Sequence, residues 1–91
     1  MIIADLVIPQ PNNNGNPKGQ LVEQLQEAHD ALSKAIDALE NLEHSNLRNF
    51  QTHSGGMEAG RKCREQHAAM IQAVLDVRLQ IMTLAYEVSQ R

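Results

Sequence analysis

The residues best suited to chemistry lie in one short window near the middle of the chain. Arg48, Asn49 and Phe50 are consecutive, and His53 follows three positions later. A guanidinium grips a phosphate or carboxylate through two parallel hydrogen bonds, an amide reads a polar edge, and a phenyl ring stacks on a flat ring. This window therefore predicts a site for an anionic, ring-bearing ligand, for which a nucleotide or cyclic nucleotide is the natural class.

Further positive charge follows that window. Residues 44–64 hold four cations, Arg61 and Arg64 among them, and one acid, so their net charge is +3 against −6 for the rest of the chain. Gly55 and Gly56 precede a helix start, where free backbone N–H groups attract anions. The open alternative is that Phe50 plugs the end of a bundle and that the basic residues are paired or simply solvated.

Metal binding and catalysis have little support in the sequence. Cys63 and His67 are one helical turn apart, but no Cys-x-x-Cys or His-Glu-x-x-His accompanies them. We predict no metal site and no cofactor, and we interpret His67 as a hydrogen-bonded core or interface histidine. Ser54 lies beside His53 without a third group to orient the ring, so no enzymatic activity is predicted.

Two long helices must position these residues. Asn16 and Pro17 suit the cap and first position of a helix that we expect to run to about Leu47, and the Gly pair precedes a second helix, from about Met57 to Ser89. On the first helix an apolar seam follows four-three spacing at Leu21, Leu25, Ala28, Leu32, Ala35, Leu39 and Leu42. Such spacing places one seam on one face.

The second helix has two adjacent apolar seams. The main one contains Gly60, Cys63, His67, Met70, Val74, Val77, Ile81, Leu84 and Val88, and the other contains Ala68, Ile71, Leu75, Met82 and Ala85. One partner helix covers only one seam, so we predict an all-α antiparallel helical hairpin that assembles into a four-helix bundle or a larger homo-oligomer. The alternative is that the N-terminal arm covers the second seam within the same chain.

The N-terminal region divides from the hairpin at its prolines. Residues 1–8 suit an extended apolar arm and residues 9–19 a Pro/Asn/Gly linker, so we divide the chain into an arm and linker over 1–18 and a hairpin over 19–91. The arm is too short for a membrane span and lacks a signal-peptide pattern. With one cysteine and a net charge of −3, the chain is expected in the cytoplasm, without general nucleic-acid or membrane binding.

From Asn46 to Val88 the chain resembles a group of small uncharacterised phage and prophage hairpin proteins. The matching residues are Arg48-Asn49-Phe50, in an Arg-[Asp/Asn]-aromatic turn, and His67-Ala68-Ala69. The Arg-x-Phe turn is also similar, more faintly, to that of the anti-CBASS and anti-Thoeris nucleotide sponges, which are oligomeric helical hairpins. These resemblances imply a phage-linked accessory role, with an anti-defence function as one form of it.

Two functions follow as hypotheses. In the first, a homo-oligomer sequesters an anionic small ligand at its basic turn, using Arg48, Asn49, Phe50, His53, Arg61 and Arg64. In the second, the chain is a protein-interaction module, such as a phage inhibitor or assembly adaptor that contacts a host protein through its helix faces.

Overall fold

The computed structural model describes residues 5–91 and contains two long helices packed antiparallel. Helix α1 spans Lys18–Glu40, helix α2 spans Gly56–Ser89, and a 3-10 turn spans Leu47–Phe50. Residues 5–91 include no strand. The predicted helical hairpin is thereby confirmed, as a rod with extents of 62, 23 and 17 Å.

Helix α1 begins one residue later than its cap residues predicted. Pro17 itself occupies the N-cap position, and its carbonyl accepts from the Leu21 backbone N–H at 3.1 Å. Asn16 does not cap the helix, because its side-chain amide instead donates to Gln20 Oε1 at 2.9 Å. The extended ψ of 146° at Pro17 marks the boundary between linker and helix.

Helix α1 also ends earlier than predicted, at Glu40 rather than near Leu47. Asn41 forms the C-cap, and two short turns follow, in which Leu42 N–H donates to the Leu39 carbonyl and Asn46 N–H to the Glu43 carbonyl. Asparagine and serine side chains compete with the helix for backbone groups and so favour such turns. Residues 41–46 therefore form a connector rather than two further helical turns.

Helix α2 has the predicted bounds to within one residue. Its first residue, Gly56, has φ of +64°, which is in the left-handed region where a side chain is strained. The Gly pair thus lies at the start of the second helix, as the sequence predicted.

The face of α1 that meets α2 follows a true helical period. Its buried and half-buried residues are Leu21, Val22, Leu25, Ala28, His29, Leu32, Ser33, Ile36 and Leu39. Ile36 is 4% exposed, whereas Ala35, which the strict four-three pattern placed on the seam, is exposed. A straight helix drifts by about 20° per heptad from that pattern. By the middle of α1 the face that meets α2 has therefore shifted by one residue, from Ala35 to Ile36.

Helix α2 contributes residues from both predicted seams to the hairpin. Those that become buried or half-buried include Gly60, Cys63, His67, Ile71, Val74, Ile81, Ala85 and Val88. Arg78, which interrupts the second seam in the sequence, is half-buried and donates from Nη1 to Ser33 Oγ of α1 at 3.1 Å. Apolar residues remain exposed on both edges of this contact.

One edge carries Met70 and Val77, which are 49% and 42% exposed. The other edge carries a row that we call the outer stripe, formed by Leu75, Leu79, Met82 and Tyr86. Leu79, Met82 and Tyr86 are 56%, 51% and 63% exposed, and Leu75 is half-buried. The two seams predicted from the sequence include neither Leu79 nor Tyr86.

The segment before α1 lies beside the open end of the hairpin. Val7 and Pro9 line a groove together with Leu21 and Leu25 of α1 and Leu84 of α2. Leu6, Ile8 and Pro11 are half-buried. The part of the predicted apolar arm formed by residues 1–4 lies outside the described residues.

The hairpin has very little interior. Ile36 and Val88 are the only large apolar residues that are buried among residues 5–91, and of the two only Val88 is fully buried. The accessible surface is 6705 Å², whereas the mass scaling for folded monomers gives about 5,300 Å² for a chain of 10.1 kDa. The chain therefore leaves exposed an area that a compact protein of its mass would bury.

Helix α2 is also long and apolar enough to cross a membrane by length and composition alone. Its most apolar 18-residue window has a mean hydropathy of 1.3, and 6% of that window is buried in the hairpin. Asp76 and Arg78 lie near the middle of the helix, where charges are costly in a bilayer. The expected absence of a membrane partner stays a prediction.

Candidate site at the hairpin turn

The 3-10 turn presents the predicted binding residues at one end of the rod. Asn46, in extended conformation with ψ of 131°, caps the turn by accepting from the Arg48 backbone N–H at 3.0 Å. Its carbonyl also accepts from the Asn49 N–H at 2.9 Å. An asparagine cap therefore fixes the backbone that carries the Arg48, Asn49 and Phe50 side chains.

Arg48 and Asn49 both turn back towards Glu43. Arg48 Nη2 is 3.4 Å from Glu43 Oε2, with both side chains more than 60% exposed. The Asn49 side-chain amide donates to the Glu43 carbonyl at 2.9 Å. An exposed ion pair is worth about 0 to 1 kcal/mol, so Arg48 could exchange this carboxylate for another anion at little cost.

Phe50 and His53 form a second group, packed against the start of α2. Their ring centroids are 5.2 Å apart, and Phe50 lies so close to Gly60 that a Cβ there would meet Phe50 Cγ at 3.2 Å and Leu47 Cδ2 at 2.8 Å. His53 Nδ1 accepts from the Gly55 backbone N–H at 2.8 Å. Phe50 thus covers the end of the hairpin, which is the alternative that the sequence left open.

The two remaining predicted residues lie on α2 and have different surroundings. Arg61 Nε is 3.5 Å from Glu58 Oε2, one turn earlier on the same helix. Arg64 lines an open groove of about 360 Å³ together with Leu42, Glu43, Ser45, Asn46 and Leu47. Within residues 5–91 Arg64 makes no hydrogen bond or ion pair, so its charge is free to meet a ligand.

The hairpin brings acids from α1 to this basic end. Asp37, Glu40 and Glu43 lie on the last turns of α1 or just beyond them, beside the start of α2. Residues 37–65 contain five acids and four cations. The positive end that a linear window of sequence predicted is therefore neutralised to a net charge of −1 once the neighbouring acids are included. Arg48 and Arg61 have carboxylate partners, whereas Arg64 has none among the described residues.

A polar clamp that joins α1, the connector and α2 lies next to this groove. His67 Nε2 is 2.6 Å from the Leu39 carbonyl, and His67 Nδ1 is 2.8 Å from Ser45 Oγ. These partners imply that Nε2–H donates to the carbonyl while Nδ1 accepts from the Ser45 hydroxyl. The His44 ring lies against that of His67, with 4.8 Å between the ring centroids.

The clamp gives a physical reason for the early end of α1. The last four carbonyls of a helix lack partners within it, and Leu39 carries one of these groups. The sequence correctly predicted a hydrogen-bonded His67, but Ser45, which is 8% exposed, was missed. The only local feature that could have indicated the role of Ser45 was the serine itself, in a segment that the apolar pattern predicted to be helical.

A serine hydroxyl beside an oriented imidazole is also the arrangement of an activated nucleophile. Here a neutral backbone carbonyl takes the place of the carboxylate that stabilises an imidazolium in the Ser-His-Asp arrangement. Ser45 is almost wholly buried. We therefore assign His67 and Ser45 a structural role, namely joining the end of α1 to α2.

Metal ligation has no support in the part of the chain that the structure describes. Residues 5–91 contain no group of three or more His, Cys, Asp or Glu side chains placed to hold an ion. Cys63 is a half-buried free thiol.

Comparison with known proteins adds no further constraint. No family, no curated protein and no solved structure matches this chain.

Proposed function

We propose that the chain is a non-enzymatic interaction module that acts as a homo-oligomer of helical hairpins. The surface of the isolated hairpin carries this proposal. It exceeds the area expected for the mass by about 1,400 Å², and six large apolar side chains of α2, those of Met57, Met70, Val77, Leu79, Met82 and Tyr86, are at least 42% exposed. Contiguous exposed apolar surface of this kind typically marks a protein interface.

The size of the surplus suits self-association. A standard interface buries about 800 Å² on each partner, so one interface of that size removes more than half of the excess. Pairing two hairpins also provides the third and fourth helices that a bundle core needs. The apolar arm would then cover the open end of each hairpin, beside the groove that Val7 and Pro9 line with Leu84.

We expect the wild-type protein to be at least dimeric at micromolar concentration. Burial of the exposed apolar side chains drives this association. Light scattering coupled to gel filtration measures the mass in solution directly. A well-folded, monodisperse monomer of 10.1 kDa over the micromolar range would refute the proposal.

A second candidate function is retention of an anionic small ligand at the turn. One observation favours it, because Arg64 lines the open groove without a partner, next to Asn46 and close to the weakly held Arg48. A phosphate that bridges Arg48 and Arg64 would replace the Glu43 contact. The resemblance to phage hairpin proteins and nucleotide sponges makes a nucleotide signal the first class to test.

The ligand hypothesis predicts that cyclic nucleotides raise the melting temperature of the wild-type protein. Arg64→Ala and Arg48→Ala should each weaken that binding by about tenfold or more, since a hydrogen bond to a charged group contributes about 1.5 to 3 kcal/mol. Arg91→Ala, which removes a cation paired with Glu87 far from the turn, is the matched control. If no nucleotide in a broad panel shifts the wild-type melting temperature, this candidate is eliminated.

The cellular setting stays a prediction. A phage-linked role, whether as an anti-defence sponge, an inhibitor or an assembly adaptor, rests on the resemblance of the turn and of the His67 region. Capture of one specific host protein by the wild type, but not by variants of the helix faces, would favour the adaptor or inhibitor.

A further inference from the structure

We propose that a second copy of this chain docks on the outer stripe, so that the stripes of two hairpins pack against each other across a two-fold axis. This inference rests on the proposed self-association and names the surface that mediates it. The first step is geometric. Leu75, Leu79, Met82 and Tyr86 are spaced by four, three and four residues, which is the spacing that places side chains on one helix face.

The chemistry of the stripe suits a helix partner. Its members are aliphatic, thioether and phenolic, and a tyrosine at the end provides large contact area with one polar group. The residues beside it are largely uncharged. Gln26 and His29 of α1 line a groove with Met82 and Tyr86, and Gln72 occupies the other flank, where it donates to Asp76. Few charges would need to be desolvated when two stripes meet.

The position of the stripe explains why it, rather than the opposite edge, is the interface. On the opposite edge, Val7 and Pro9 of the same chain lie alongside Leu84. Those residues partly occupy the open end, and a partner hairpin would have to displace them. The outer stripe carries the three most exposed large apolar residues of α2.

The exposed area of one hairpin suits a second copy as the occupant. The outer stripe extends over residues 75–86 of α2, about 17 Å, and Gln26 and His29 of α1 widen it on one side. The hairpin exposes about 1,400 Å² more than a compact chain of its mass, which exceeds the about 800 Å² that each partner of a standard interface buries. A two-fold axis brings the same stripe of both copies together, so an apolar stripe meets an apolar stripe. No other protein is then needed to cover it. The result is a four-helix bundle in which the two α2 helices pack in the middle.

The first test compares matched charge insertions on the two edges of α2. Leu79→Glu places an unpaired carboxylate in the proposed interface, and Met70→Glu places one on the opposite edge at similar exposure, 49% against 56%. We expect Leu79→Glu to weaken dimerisation by about 100-fold or more, because an unpaired buried charge is costly, and Met70→Glu to assemble like the wild type. Light scattering gives the mass and circular dichroism the helix content.

Equal weakening by both variants, or none by Leu79→Glu, would overturn the assignment of the surface while leaving self-association intact. A monomeric wild type would instead overturn the proposed function itself. The two failures are therefore distinguishable.

Cross-linking covers the case in which a glutamate variant does not fold. Leu79 is near the middle of the stripe, so its two copies lie beside the two-fold axis when the stripes pack against each other. In a Cys63→Ser background, Leu79→Cys should therefore form a disulfide-linked dimer on mild oxidation, and Met70→Cys should not, since bridged residues need Cα atoms about 4.4 to 6.8 Å apart. The reverse pattern, or no linked Leu79→Cys dimer from a protein that is dimeric by mass, contradicts the proposal. A wild type that is monomeric in solution but sediments with phosphatidylglycerol vesicles would overturn it by identifying a membrane as the occupant.

Discussion

Replacing His67 with alanine is expected to lower the free energy of unfolding by about 3 kcal/mol. The substitution removes the donor to the Leu39 carbonyl and the partner of the Ser45 hydroxyl. Ser45 is almost wholly buried, and a buried polar group left without a partner costs about 1 to 3 kcal/mol. Urea unfolding at one fixed protein concentration measures the change, because association makes apparent stability depend on concentration.

Two further variants separate the clamp from a general effect of losing a ring. Ser45→Ala removes one of the two hydrogen bonds and should cost about 1 kcal/mol. His44→Ala removes an exposed imidazole that only contacts the His67 ring, and it should cost less than about 0.5 kcal/mol. A His67→Ala variant as stable as His44→Ala would show that the clamp does not hold the hairpin together.

The second large effect is expected at Gly60, where leucine should destabilise the protein by about 2 kcal/mol. A Cβ at this position already meets Leu47 Cδ2 at 2.8 Å and Phe50 Cβ at 3.3 Å. A larger side chain must push the 3-10 turn off α2, and overpacking of this kind costs about 1 to 3 kcal/mol. The loss should appear in urea unfolding despite the better helix propensity of leucine.

Gly19→Leu is the matched control for that substitution. Gly19 lies in the first turn of α1, and a Cβ added there would have no neighbouring atom within 4 Å. Leucine at this position gains up to about 1 kcal/mol of helix propensity with no clash. If both variants changed the unfolding midpoint in the same direction, the close approach of the turn to Gly60 would not matter for stability.

The bounds of one helix could be predicted from the local sequence, and those of the other could not. The bounds of α2 were predictable because a Gly pair precedes it and the residues of its main seam repeat without interruption. The end of α1 was not, because the side chain that contacts its Leu39 carbonyl, His67, is 28 positions away. Apolar periodicity continues through Leu42 and gives no sign of that contact.

The candidate site shows the same division between local and distant causes. The Arg48-Asn49-Phe50 run and the unpaired Arg64 could be named from the sequence. The pairing of Arg48 with Glu43, five positions earlier, was among the alternatives that the sequence left open. The approach of Asp37 and Glu40 was not foreseen, since it depends on how the two helices pair. Phe50 became part of the packing because Gly60, ten residues later, leaves space for it.

The rod shape has a hydrodynamic consequence for any measurement of assembly. The radius of gyration is 18.6 Å, which is the value that the scaling for compact proteins assigns to about 275 residues. A single hairpin should therefore show in small-angle X-ray scattering the radius of gyration of a globule about three times its mass. It should also elute from a gel-filtration column earlier than a compact protein of its mass, because a rod has a larger Stokes radius than a sphere of the same volume. The radius of gyration alone would suggest a trimer where one chain is present, and only an absolute mass distinguishes a long monomer from a compact assembly.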